Sequence, residues 1–499
     1  MIRHFAAASI VALLTSAVAA RSARTIGPPI TADDIVGVWA ADLSHAGETS
    51  RVILHIEKNP DGRVTARWST PAIHFWEVPV GFVTVEGETA RIGGFALSYD
   101  RGADTLTGTI PHAVVPLYSM KAVYHRIERV DPVPRPALAA PERRPAWTFD
   151  AGSPIWSDAA LCNGLVIVGD DGGHVHALAG STGTQVWAFD AGAAVRAGAT
   201  CAGSAAFVHA DDGFVTKLDA TSGAQKWKVR IDRQAIVRLP LDDPKSRYDN
   251  RASAVTVAGS RAYVGAGDGR LVALDVATGA VVWECSAGDS IVAAPLVSDG
   301  RVFFGSFDGR VYAVDAASGS QIWAKDTGGA VTSTPVSFGG RVIVGSRSYD
   351  LTAFDARNGS PVWTRYFWFS WVESTAAIFK SSLYVGSSDA ARVTAIDPAD
   401  GRQLWTTDVG GSAWGEPAVT RDLVLVAVVG VLNYMPPHQG SAMALDRKTG
   451  RLLWRFAIAT PAASNQSGLM PYGFAGAPVI GERLVYFGGL DGRVYAFAL

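Results

Sequence analysis

Residues 273–283, "ALDVATGAVVW", return forty residues later as "AVDAASGSQIW" (313–323) and again as "AFDARNGSPVW" (353–363). Trp stands at 147, 187, 227, 283, 323, 363, 405 and 454. From Trp187 onward each follows a Gly by four residues (183, 223, 279, 319, 359, 401, 450), and six of those glycines follow an Asp by four (219, 275, 315, 355, 397, 446). Between successive Trp residues lie short apolar runs such as "RVFFG" (301–305) and "RVYAV" (310–314), with Asp-Gly pairs at 268–269, 308–309 and 491–492. Asp-Gly between alternating apolar runs is a hairpin signal. Each unit of about 40 residues therefore reads as a four-stranded antiparallel meander, the size of a propeller blade.

The eleven-residue phrase has a mechanical reading. The Asp side chain accepts backbone N–H bonds within the turn, Gly supplies a positive φ, and the Trp begins an outer strand where its ring can lie against the next blade. Burying such a ring contributes roughly 2–3 kcal/mol. The phrase is architecture, with no catalytic part. Eight units fit between Trp147 and Leu499, and the last, "DGRVYAFAL", stops before its own outer strand. "PAWTFD" (145–150) is expected to supply that strand and close the ring.

The spacing A-x-D-x-x-x-G-x-x-x-W, from Ala273, Ala313, Ala353, Ala395 and Ala444, resembles the tryptophan-docking repeat of pyrroloquinoline-quinone (PQQ) dehydrogenases. It is equally similar to non-enzymatic PQQ-like propellers, including the propeller lipoprotein of the outer-membrane β-barrel assembly machinery. The resemblance covers about residues 147–499. It implies an all-β chain, an eight-bladed PQQ-like β-propeller preceded by a small β-domain, and leaves enzyme and scaffold both open.

Outside the repeats, residues 1–19 read as a signal peptide: Arg3 and His4, an apolar stretch from Phe5 to Leu14, and Ala17-Val18-Ala19 before a mature start near Ala20. No Cys follows until Cys162, so lipidation of the bacterial lipoprotein kind is not expected, and a periplasmic or secreted monomer is. Residues 33–128 carry no repeat copy and read as a small antiparallel meander, a barrel or half-barrel. Its "GVWAADL" (37–43) resembles the first strand of lipocalin-like barrels and small β-domains that precede some secreted serine hydrolases. Pro-rich residues 129–146 read as a linker, and 147–499 as the propeller. Cys162 and Cys201 fall at near-equivalent places in successive units. An exported chain could pair them, whereas positions in adjacent repeats are often too far apart for a disulfide. Cys285 is expected as a buried free thiol.

Composition excludes some functions. A formal charge of −2 offers no counterion-release term for nucleic acid. There is no G-x-S-x-G, C-x-x-C-H, H-E-x-x-H or Walker loop. His174 and His176 read as structural.

Departures from the repeat mark the candidate site. "RQAIVRLPLDDPKSRYDNRASA" (233–254), "GVLNYMPPHQGSA" (430–442) and "ATPAASNQSGLMPYGFAG" (459–476) lengthen loops that should open on one face of the propeller. "IWSD", "SWVES" and "AWGEP" place Trp156 with Asp158, Trp371 with Glu373 and Trp414 with Glu416 near the start of the innermost strand in three units. Arg196, Asp249, Asn250 and Arg251 fall at or near the same mouth. These ten residues either line a wet channel or form a ligand pocket. The resemblance implies what a dehydrogenase would need there: a Trp floor, Glu and Asn for Ca²⁺, an Asp base and an Arg on PQQ. The vicinal Cys pair of such enzymes and a haem domain are both absent. The reading that results is a binding or scaffold protein of the cell envelope, holding a protein, small-molecule or carbohydrate partner at the mouth. A PQQ- and Ca²⁺-dependent alcohol or sugar dehydrogenase and a carbohydrate- or polymer-binding accessory protein are the alternatives.

Overall fold

In the computed structural model, strands account for nearly all regular structure, interrupted by two short 3-10 turns. The structure describes residues 29–45, 47–110, 120–133, 135, 137–239, 243, 246–432, 438–461 and 469–499. The signal-peptide reading of 1–19 lies outside them. No helix among the described residues is long and apolar enough to cross a membrane. Two compact units divide the chain between Pro134 and Arg135.

The first unit is a closed antiparallel barrel of eight strands, from Gly37–His45 to Met120–Ile127, whose first and last strands pair. Closure removes the free edges that a half-barrel would leave. Trp39 fixes the seam: its ring is fully buried, its Nε1 donates to Ile35 O (2.9 Å), and the Arg126 guanidinium lies 4.1 Å above it. Gly37 begins the strand with a φ of +144°, which favours glycine, and a Cβ there would also crowd that guanidinium.

In the second unit eight sheets follow one another in meander order. Seven are consecutive in sequence, from blade 1 (innermost strand Ala160–Cys162, outer strand Gln185–Asp190) to blade 7 (outer strand Leu452–Ala457). Blade 8 takes its outer strand from Trp147–Asp150, which pairs antiparallel with Arg493–Ala498. The ring closes as the sequence predicts. Residues 135–146, read as linker, belong to this compact unit: Arg143 N donates to Arg455 O (2.8 Å) and Arg455 N to Pro141 O (3.0 Å) beside the outer strand of blade 7.

The repeated phrase now has coordinates. Asp275 Oδ1 accepts the N–H groups of Ala277 (3.1 Å) and Thr278 (3.0 Å), which folds the turn. Seven of the eight repeat Trp residues donate Nε1 to a carbonyl of the next blade, as Trp323 does to Ala356 O at 3.1 Å. The Trp ring covers the next blade's turn glycine. A Cβ on Gly279 would lie 2.9 Å from Trp227 Cδ2, so this glycine serves both a φ of +75° and the ring above it. At Trp454 the pattern changes: Arg143 lies 5.9 Å from the ring centre and donates to Ala498 O.

Cys162 and Cys201 are joined, with Cα atoms 5.6 Å apart. The innermost strands converge on the propeller axis, which brings equivalent positions of blades 1 and 2 within disulfide reach. Cys285 is free and half-buried.

Candidate functional site

The three lengthened loops meet. Arg251 Nη2 reaches Ala475 O (3.4 Å), joining the loop before blade 3 to the loop before blade 8. Met470–Gly473 of the latter pairs antiparallel with residues 429–432, an extension of the second strand of blade 7. Arg347, from blade 5, donates to Arg247 O and Tyr248 O of the first loop. The loop at 233–254 thus crosses the mouth and is pinned on its far side.

Of the ten predicted residues, the aromatic ones are not free platforms. Trp156 is buried, packed with Val429, Val431 and Ala475 and against half-buried Trp414. The Arg196 guanidinium lies 5.3 Å from the Trp156 ring and is held by both carboxylate oxygens of Asp171 (2.7 and 2.9 Å). Trp414 Nε1 donates to Ser388 Oγ (3.3 Å). Trp371 lies beneath the Arg347 guanidinium (4.5 Å) with the Tyr248 ring 5.8 Å away at its edge. Trp371 and Trp414 do not stand free in solvent: Tyr248, Val431 and Ala475 of the lengthened loops and Arg347 of blade 5 pack around them.

Several of the charged residues are paired with one another. Glu373 accepts from Arg347 Nε (2.8 Å) and Nη2 (2.6 Å), so Trp371 and Glu373 share one guanidinium. Asp249 accepts from Arg238 Nη1 (3.3 Å), and Arg238 also donates to both oxygens of Asp211 (2.6 and 2.8 Å). Burial pushes the Asp249 carboxyl up, against the pull of Arg238. Asp158 accepts the Ala477 N–H (2.6 Å). Glu416 meets solvent yet is ringed by protein. That enclosure, and secondarily the Asp158 charge, lifts its pKa to about 7. Asn250 is half-buried between Asp249 and Arg251 on the crossing loop.

Sequence reading missed Asp171, Asp211 and Arg347, the partners that organise the mouth. Each stands two residues beyond the end of a second strand (Gly169, His209, Gly345). Aligning the units on that column would have set them beside Gly267 and Phe307, where only three positions are charged. Arg238 and Tyr248 lie in the insertion, where no repeat register points to them.

The arrangement does not fit a quinone with its calcium. A planar cofactor on Trp371 would compete with Arg347 for the ring, and a cation at Glu373 would have to displace the same guanidinium. Beside these paired groups, a pocket of 450 Å³ is lined by Val237, Arg238, Leu239, Arg247, Asp249 and Ser290, among others. Val237 is 84% exposed and Leu239 42%.

A family model described as outer membrane protein assembly factor BamB matches residues 136–242, 238–365 and 307–499. Outer membrane protein assembly factor BamB of Yersinia pestis is 32% identical over 116 residues, which is 23% of this chain; the match spans 25% of that relative's length. BamB from Moraxella catarrhalis superimposes with a TM-score of 0.54 at 19% identity, over 72% of this chain and 100% of the other. A europium-containing methanol dehydrogenase gives a TM-score of 0.53 at 14% identity, over 71% and 93%. At these identities the two structures share the propeller fold, which serves a scaffold and an enzyme alike.

Proposed function

Because the chain belongs to the outer membrane protein assembly factor BamB family, we propose that it is an exported scaffold that holds a protein partner at the lengthened mouth of its propeller. The observation that carries this reading is the crossing loop. It presents Val237 and Leu239 to solvent, with exposed Arg233 and Arg247 nearby, above a channel in which Arg347 pairs with Glu373 and Arg238 with Asp211. Exposed apolar side chains on a long functional loop, flanked by Arg, suit a protein surface. Groups already engaged in ion pairs must be desolvated a second time to hold a small polar ligand, which weakens the case for a cofactor or sugar pocket.

The relatives' description points to an envelope location, and the apolar leader read at 1–19 agrees with it. The partner is then a component of outer-membrane protein assembly, met at the periplasmic side.

The test is a double substitution, Val237→Ser with Leu239→Ser. Both side chains are exposed, so the melting temperature should stay within about 2 °C of wild type. Co-purification of the outer-membrane assembly machinery with the tagged full-length chain should fall at least tenfold. Retention at the wild-type level would remove the crossing loop as the docking surface.

A further inference from the structure

The third strand of blade 1 opens with His174-Val175-His176, and Asp170 directly follows the preceding strand, Leu165–Gly169, at the start of the turn between them. Residues two apart on a strand share a face, so both imidazoles stand on one side of the sheet. His176 Nε2 lies 3.0 Å from Asp170 Oδ2, His174 Nδ1 lies 3.7 Å from Asp170 Oδ1, and the three donor atoms all fall within 4.8 Å of one another. Asp170 and His176 are buried, whereas the His174 side chain is 51% exposed.

The His176 ring is held at both nitrogens: Nδ1 lies 3.0 Å from Gln185 Oε1, and Nε2 faces the Asp170 carboxylate.

We propose that Asp170, His174 and His176, whose donor atoms converge, form a site for one divalent transition ion of the zinc class. A buried ion pair needs only Asp170 and His176. It uses His174 only through its backbone N–H, which donates to Asp170 Oδ1 (2.8 Å), and leaves the half-exposed ring, with Nδ1 3.7 Å from the same oxygen, without a part. Zinc takes nitrogen and oxygen donors at ~2.0–2.2 Å, which places tetrahedral donors ~3.4 Å apart. The two contacts, one to each oxygen of Asp170, lie on either side of that separation, and the exposed His174 ring is the donor free to turn toward a bound ion. Two imidazoles and one carboxylate suit zinc, and Gln185 is the outer acceptor that orients a ligating histidine. The site lies on the mouth-side turn of blade 1, beside Asp171, which holds Arg196.

The test uses the chelator-stripped full chain and Zn²⁺ alone, titrated in competition with a chromogenic chelator, with Co²⁺ absorbance as a second readout. The expected result is one equivalent bound at micromolar affinity or tighter, and a visible Co²⁺ spectrum of low-coordinate type. His174→Ala leaves the buried pair untouched and should keep the fold, yet should weaken Zn²⁺ binding at least tenfold; Asp170→Asn should abolish it. A thermal shift induced by Zn²⁺ in the wild type should vanish in His174→Ala. Absence of saturable binding below about 100 μM, or equal affinity in His174→Ala, would overturn the proposal and leave a proton between Asp170 and His176.

Discussion

A single carboxyl shows how much one residue can make the propeller depend on pH. Asp350, at the start of the third strand of blade 5, is 4% exposed, and its Oδ1 finds no hydrogen-bond partner among the described residues. Burial raises its pKa from 3.8 to about 7. The folded chain therefore holds this proton more firmly than the unfolded chain does. Stability is complete below the unfolded value near 3.8 and falls as pH climbs through about 7. Asp350→Asn keeps the shape and removes the titration. Between about pH 4 and pH 7.5 the wild type should lose on the order of a few kcal/mol that the variant retains, read from urea unfolding at each pH. Parallel pH curves for the two chains would show that the carboxyl is already ionised in the folded state. Nothing in the sequence announces Asp350. In blades 3 and 4 the equivalent position is Arg270 or Arg310 after Asp-Gly, and only the burial of the strand turns the change to Tyr-Asp into a cost.

At the scale of elements, the blade contact carries the stability and was the part most open to sequence reading. Trp323 is nearly buried, donates to Ala356 O, and covers the Gly359 turn of blade 5. Trp323→Ala should cost roughly 3–5 kcal/mol in unfolding free energy by denaturant titration; a loss below about 1 kcal/mol would place the ring outside the blade interface. The Asp, Gly and Trp columns were legible because local turn chemistry and ring docking repeat unchanged from blade to blade. Closure by Trp147–Asp150 was legible for the same reason, as a unit lacking its fourth strand. The disulfide was not. Its geometry depends on how closely the innermost strands approach the axis, and spacing in sequence carries no such distance. A link closing 39 residues contributes about 4 kcal/mol by restricting the unfolded chain. The packing of residues 135–146 on the propeller was equally hidden, since Pro-rich composition describes a free linker and a docked strand in the same terms.

For the second unit as a whole, the loops matter more than the ring. The propeller is shared by assembly factors and dehydrogenases, and what separates the two readings here is the mouth. Sequence placed three long loops and ten polar or aromatic residues there. It could not see that Arg347, Arg238 and Asp171 take up those residues, because Arg347–Glu373 and Asp171–Arg196 join positions 26 and 25 apart and Arg238, which holds Asp249, lies in the insertion. The charges face each other, and Val237 and Leu239 face solvent. A photo-activatable residue at position 237 of the full-length chain in living cells tests this most directly, with position 186, also exposed and on an outer strand, as the control. The account predicts a discrete cross-link from 237 to an outer-membrane assembly component, absent from 186. Cross-links of equal yield from both positions, or none from 237 alongside a purified chain that reduces dye with PQQ, Ca²⁺ and an alcohol, would contradict it.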